Sequence, residues 1–245
     1  MNKTVIIIPA RLDSLRLPNK PLEFINNKEM ILHVYEAAKK TNIEEVYVAT
    51  PDQKIIDLIT SNGGKAVLTS LDHQTGTDRI YEVFKNLLNN KPDIIVNLQG
   101  DMPNINPQSI SDLISYMNQG QCDIGTLASS FSSDEELTDK NNVKVVVKNK
   151  ITKNIFGEAT DFLRISSNIS KNIYHHVGIY AFTNKALVRY VRLDRSKLEL
   201  ERKLEQLRAL ENNMSIHVGY INSSPLSVDT KNDLMEVKKI MENND

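Results

Sequence analysis

A chain of 245 residues is long enough to bury a full hydrophobic core, and α/β domains often reach this length as one unit. Hydrophobic residues make up 40 % and charged residues 25 %, ordinary globular values that exclude a mostly disordered chain. The formal net charge of −1 offers no global field for a polyanion, so nucleic acid is not an expected partner and any phosphate must be held by locally placed cations.

The single cysteine, Cys122, cannot form an internal disulfide. Met1-Asn2-Lys3-Thr4 runs straight into a short apolar strand rather than a signal-peptide core, and the two features together predict a reducing, cytoplasmic setting. No apolar run approaches the roughly 18 residues that span a bilayer, so no membrane association is expected. The scattered histidines form no i, i+4 pair that would suggest zinc.

Val5-Ile6-Ile7-Ile8, closed by Pro9, reads as a strand buried on both faces of a parallel sheet. Ile31, Val34, Tyr35 and Ala38 then describe a one-faced helix, followed by the strand Val46-Tyr47-Val48-Ala49. The alternation repeats with a helix around Ile55, Ile56 and Ile59 stopped by Gly63-Gly64, a strand Ala66-Val67-Leu68, a helix carrying Ile80, Val83, Phe84 and Leu87, and a strand Ile94 to Leu98. Such alternation predicts a Rossmann-like α/β fold with a doubly wound, mostly parallel sheet. From Ser132 the sequence turns polar. Val143 to Val147 and Tyr174 to Phe182 then read as strands without long helices between them, so residues 130–215 are expected to form an α+β insertion in a single domain spanning 1–245. A last strand at Ile216-His217-Val218 and a closing helix from Thr230, ending in an Asn-rich tail, complete the chain.

The loop after the first strand carries Arg11, Arg16 and Lys20 at the carboxyl edge of the sheet, where open α/β folds bind ligands. It has neither a Gly-x-Gly-x-x-Gly dinucleotide turn nor a P-loop, which argues against a dehydrogenase. The loop suits a nucleoside triphosphate held by side chains and backbone amides, or is simply a solvated basic surface. Asp101, after Gly100 and the strand ending at Leu98, points to the same edge, while Asp229 taken alone reads first as an acid favoured by a helix start and only second as a site carboxylate.

Pro9-Ala10-Arg11, Arg16-Leu17-Pro18 and Lys20-Pro21-Leu22 together resemble the N-terminal signature of the 3-deoxy-manno-octulosonate cytidylyltransferases, the CMP-Kdo synthetases. His73-Gln74-Thr75-Gly76-Thr77-Asp78-Arg79, Val96 to Asp101, Val143 to Val146, His176 to Tyr180, Leu204 to Arg208 and Val228-Asp229-Thr230 resemble family segments in the same order. The resemblance implies transfer of CMP from CTP to Kdo for lipopolysaccharide biosynthesis, with Mg²⁺ on Asp101 and Asp229 and a homodimer built through the inserted region. It assigns Arg11, Lys20, Asp101 and Asp229 to catalysis, Arg11 and Lys20 acting on the departing pyrophosphate. Ala10, Arg11, Arg16, Lys20, Gly76, Arg79 and Gln99 go to the nucleotide, and Gln99, His176, Tyr180, Glu205 and Gln206 to the sugar. Alternatives are a cytidylyltransferase for another acidic sugar, such as 8-amino-Kdo or sialic acid, and a non-catalytic nucleotide-binding relative.

The chain departs from that pattern where the family has Phe-Ser-Arg-Ala-x-Ile-Pro and this sequence has Phe156-Gly157-Glu158-Ala159-Thr160-Asp161-Phe162. Glu158 is expected to oppose an acidic sugar unless Arg164 offsets it. Asn19, Met102, Arg202 and Lys203 are further departures, Asn19 at a position that suits a left-handed backbone.

Overall fold

The first strand, β1 (Thr4–Pro9), is buried along its whole length, as its β-branched run requires. The computed structural model describes residues 2–14, 16–153, 155–165 and 172–242. The chain divides into two compact units, Met1–Ser111 with Pro225–Asp245, and Asp112–Ser224.

In the first unit β1 is followed by a small antiparallel ribbon, β2 (Phe24–Ile25) and β3 (Lys28–Glu29), then α1 (Met30–Lys39), β4 (Glu45–Thr50), α2 (Gln53–Ser61), β5 (Ala66–Leu68), α3 (Gly76–Asn86) and β6 (Ile94–Asn97). The four main strands pair in parallel in the order β5-β4-β1-β6, and the chain passes through a helix between successive ones, α1 from β1 to β4, α2 from β4 to β5 and α3 from β5 to β6, as parallel strands need a crossover. The expected stripe of Ile31, Val34, Tyr35 and Ala38 is the buried face of α1. Gly63, at φ 73°, closes α2 in the left-handed conformation that glycine adopts without strain.

The helix α4 (Pro107–Met117) leads into the second unit, which contains β7 (Ile124–Ser129), α5 (Asp134–Thr138), β8 (Lys144–Val147), β9 (Gly157–Leu163), β10 (Ile173–Thr183), α6 (Asn184–Tyr190), α7 (Lys197–Arg202), α8 (Leu207–Glu211) and β11 (Ile216–Tyr220). The order there is β10-β7-β11-β9-β8, with β8 also pairing β10. Only β11 and β7 run parallel; the other pairs are antiparallel. The expectation of a mostly parallel sheet holds for the first unit; in the second, where residues 130–215 are expected to be α+β, the pairing is mostly antiparallel. Among the described residues no helix separates β8, β9 and β10, so nothing there can carry a parallel crossover. The sequence reading also names no element between Asp101 and Ser132, where the structure has α4 and β7.

In β10 the register slips between Val177 and Tyr180, and Thr126 Oγ1 meets the displaced carbonyl of Ile179 at 2.7 Å. The closing helix α9 (Lys231–Glu242) returns to the first unit, burying Leu234 and Val237 with Ile25, Met30 and Val228. The Asn-rich tail beyond it lies outside the described residues. Among them, no helix is long and apolar enough to cross a membrane.

Candidate active site

The loop leaving β1 is tied down at both ends. The Leu12 amide donates to Asp52 Oδ2 at 2.8 Å, and the loop closes in a short 3-10 turn, Lys20–Leu22, with buried Pro21 at its centre. Asn19 enters that turn at φ 58°, ψ 20°, the left-handed conformation that asparagine tolerates better than most residues. The backbone of Lys20 is thereby fixed, and the Lys20 amide donates to Leu17 O at 3.2 Å.

A second wall comes from the start of α3. Thr75 and Asp78 form a reciprocal cap: the Asp78 amide donates to Thr75 Oγ1 at 3.1 Å and the Thr75 amide to Asp78 Oδ2 at 3.2 Å. Asp78 is consumed by the cap. A β-carbon on Gly76 would stand 3.2 Å from Pro9 Cγ and 3.6 Å from Gln99 Oε1, so glycine lets this helix end close onto β1 and Gln99. Gln99 Nε2 donates to Asn97 Oδ1 at 3.0 Å, and Asn97 Nδ2 to Thr77 Oγ1 at 3.3 Å, which fixes the glutamine against α3. Arg79 is buried, with Nη1 donating to Thr69 Oγ1 (2.6 Å) and Ser70 O (2.9 Å).

The third wall is acidic. The Val228 amide donates to Asp101 O at 2.9 Å, joining the segment before α9 to the end of the β6 segment. Asp233 caps α9 by accepting from the Thr230 amide at 2.7 Å and the Asp229 amide at 3.0 Å, so the helix-start duty expected of Asp229 taken alone is held by Asp233. The side chain of Asp229 is left to face Lys20 and Arg16. Lys20 Nζ lies 2.9 Å from Asp101 Oδ2 and 3.1 Å from Asp229 Oδ1, and Arg16 Nη2 lies 2.8 Å from Asp229 Oδ2. Burial pulls the Lys20 pKa down, but Asp101 and Asp229 outweigh it and hold the ammonium above its ordinary value. The sequence reading places Lys20 on pyrophosphate; in the structure it bridges the two acids.

These walls enclose a cavity of about 680 Å³, within the usual range for small-ligand sites. Ala10, Arg11, Arg16, Lys20, Gly76, Arg79, Gln99, Asp101 and Asp229 all line it, so the structure brings every first-unit candidate together. Burial, and after it the charge of Arg11, pushes the Arg79 pKa down, which shows two guanidinium groups acting on one space. Such a space favours a polyanion. The acids also fit a hard divalent ion, since two carboxylates converge on a single cation. Mg²⁺ is characteristically held by one or two carboxylates with water and phosphate completing its shell. The sequence reading did not single out His73, which also lines the cavity with Nε2 2.5 Å from Glu82 Oε2, or buried Asn97. His73 stands within the quoted motif, but its partner is on the next turns of α3 and has no local signature.

The remaining candidates belong to the second unit. His176 is buried in β10 with Nε2 3.0 Å from Thr126 Oγ1, its ring 5.5 Å from that of Tyr180 and edge-on to Phe162 at 5.1 Å. Burial pushes the His176 pKa down to about 3. Burial, followed by the charge of Glu205, raises that of Tyr180, so His176, Tyr180 and Glu205 gather in one region. Glu205 and buried Gln206 sit in the turn between α7 and α8, where Tyr190 donates its hydroxyl to Glu205 O at 2.8 Å. The departures from the family pattern meet one another here: Arg202 Nη1 is 2.7 Å from Asp161 Oδ1. Glu158 is exposed, and the cation beside it is Lys148 at 3.5 Å. The expected compensation by Arg164 is corrected, because its guanidinium is spent on the carbonyls of Lys140, Arg202 and Lys203.

Comparison with known proteins agrees with this arrangement. A profile of the cytidylyltransferase family matches residues 5–216. The chain is 41 % identical to the 3-deoxy-manno-octulosonate cytidylyltransferase of Bartonella henselae, over 97 % of this chain and 98 % of that one. It is also 41 % identical to the enzyme of that name from Brucella ovis, over 95 % and 93 %. A solved CMP:2-keto-3-deoxy-manno-octonic acid synthetase complexed with CTP superposes with a TM-score of 0.89 at 37 % identity, covering 99 % of both chains. A putative glucose-1-phosphate thymidylyltransferase from Bacillus anthracis, at 16 % identity and a TM-score of 0.67 over 97 % of this chain and 94 % of that one, shares the fold alone. With its mixed α/β nucleotidyltransferase-like fold and similarity along nearly its whole length, the chain belongs to the cytidylyltransferase family, and within it to the 3-deoxy-manno-octulosonate cytidylyltransferases.

Proposed function

We propose that this protein transfers CMP from CTP to the anomeric hydroxyl of 3-deoxy-D-manno-octulosonate, releasing pyrophosphate, and that it supplies the activated sugar for lipopolysaccharide assembly in the cytoplasm. The observation that carries the reading is the cavity, where segments from both ends of the chain bring cations, fixed polar groups and two carboxylates onto one space of nucleotide size. Family membership supports CTP and Kdo as the substrates.

Arg11, Arg16 and Lys20 draw in and orient the triphosphate, so that α-phosphorus is presented for in-line attack with pyrophosphate departing. Gly76, Arg79, Gln99 and Ala10 hold the cytidine. Fixed polar groups there disfavour a base whose hydrogen-bonding edge leaves them unmatched. His176, Tyr180, Glu205 and Gln206 are assigned to the sugar, together with Gln99. Asp101 and Asp229 are assigned to Mg²⁺, which when bound supplies charge neutralisation at the phosphates and acidifies the attacking hydroxyl. Residues 130–215 are assigned as an inserted region for sugar binding and homodimer contact.

Pyrophosphate release measured with CTP, UTP and ATP against Kdo, 8-amino-Kdo and sialic acid, with and without Mg²⁺, tests the reading. Release is expected from CTP with Kdo, only with Mg²⁺, and is expected to fall by about 10³ or more in Asp101→Ala and Asp229→Ala. Equal release from UTP removes the base assignment, preference for another acidic sugar changes the substrate, and release from no pair leaves a binding protein.

A further inference from the structure

We propose that Lys20 is a resident counter-cation: its ammonium holds the place of the divalent metal in the free protein and leaves it when metal and nucleotide bind together. The proposal rests on the reading of Asp101 and Asp229 as the metal ligands.

The geometry makes the two cations mutually exclusive. Lys20 Nζ stands 2.9 Å from Asp101 Oδ2 and 3.1 Å from Asp229 Oδ1. A magnesium ion held by Asp101 and Asp229 through those oxygens would need a bond of about 2.1 Å to each and would claim the space the ammonium fills. Two positive centres cannot share that space, so loading the metal requires the lysine side chain to swing away.

The backbone does not need to follow. Lys20 is anchored in its 3-10 turn by the left-handed Asn19, by buried Pro21 and by its own amide bond to Leu17 O. Its side chain opens onto the cavity that Arg11, Arg16 and Arg79 also line. Without nucleotide, the displaced ammonium would join three guanidinium groups with no new anion to receive it. With a triphosphate in the cavity it moves onto phosphate oxygens. The energetic consequence is linkage: nucleotide accepts the lysine, the vacated carboxylates accept the metal, and each ligand raises the affinity for the other. Arg16 can remain on Asp229 Oδ2, since that oxygen is not one of the two bridged by Lys20.

The sign of one measurement separates this role from that of a lysine that merely orients the acids. Mn²⁺ is titrated into nucleotide-free wild-type protein, Lys20→Met and Lys20→Gln, with free ion followed by electron paramagnetic resonance. Removing the internal competitor is expected to tighten Mn²⁺ binding by about ten-fold or more, given the strength of charge repulsion at this range, while CTP binding weakens. Adding Asp101→Ala to Lys20→Met is expected to abolish the gain. Circular dichroism checks folding, and Lys20→Gln, which keeps hydrogen-bond donors between the acids, decides the matter if Lys20→Met does not fold. Unchanged or weaker Mn²⁺ binding in a folded Lys20 variant overturns the proposal, and the metal reading still stands if the aspartate variants lose CTP-dependent metal binding. A gain that survives the loss of Asp101 places the ion elsewhere and removes both.

Discussion

Lys144 has no solvent-accessible surface, yet its ammonium donates to three backbone carbonyls, those of Asp139, Asn142 (2.7 Å) and Arg164 (3.0 Å). Burial lowers its pKa and the charge of Asp139 opposes that shift. Arg164 and Arg202 work the same way, donating to the carbonyls of Lys140, Arg202, Lys203 and Phe162, so cations here join loop, strand and helix end rather than facing a ligand. Lys144→Met is expected to cost about 2–4 kcal/mol, because carbonyls left without donors keep their desolvation penalty. The midpoint of urea unfolding measures it, and a loss below about 0.5 kcal/mol would mean that water replaces the ammonium.

At the scale of elements, two helix starts meet the cavity and both are capped by an aspartate three residues after a threonine. In α3 the pair is Thr75 and Asp78, and before α9 it is Thr230 and Asp233. Because Asp233 also accepts from the Asp229 amide, the cap aims the neighbouring carboxylate as well as starting the helix. Asp233→Ala is expected to lower stability by about 1 kcal/mol, the usual worth of such a cap, and to reduce kcat several-fold. Chemical denaturation and saturating kinetics separate the two effects. Lost stability with unchanged kcat would show that Lys20 and Arg16 alone aim Asp229.

Across the whole molecule, burial lowers the pKa values of three histidines, His175, His176 and His217, and His176 is carried down to about 3. The native state therefore favours neutral imidazole. Stability from His176 is fully present above the unfolded value of 6.5 and is lost as pH falls from 6.5 toward 3. The slope approaches about 1.4 kcal/mol per pH unit for this group alone. Carboxylates held below their ordinary 4.5, such as Glu82 and Glu136, keep their full contribution to stability above 4.5 and lose it only as pH falls below that value, outside this window. Urea midpoints between pH 6.5 and 5 are expected to fall steeply in the wild type and less steeply in His176→Gln. Parallel slopes would mean that His176 gains water or a partner on protonation.

Local chemistry wrote much of this protein into its sequence. The runs at β1, β4 and β6 and the stripe of α1 are periodic patterns that need only burial on the appropriate face, and Asn19 was legible as a left-handed position. Four of the ordered motifs, those around Arg11, Gly76, Asp101 and Asp229, also marked residues that line the cavity, since each runs through a strand or helix end. Other features lack such a local signal. All six residues of β7 are buried although Gly125, Thr126 and Ser129 interrupt its apolar pattern, while α4 does carry a stripe of Ile110, Leu113, Ile114 and Met117 that the sequence reading passed over. Partner choice belonged to the tertiary structure. Lys20 meets Asp229 from 209 residues away, and Arg202 meets Asp161 from 41. Sequence determined which charges exist and on which kind of element they stand; folding decided which opposite charges are neighbours, because pairing depends on the three-dimensional approach of distant backbone segments and leaves no period in either one.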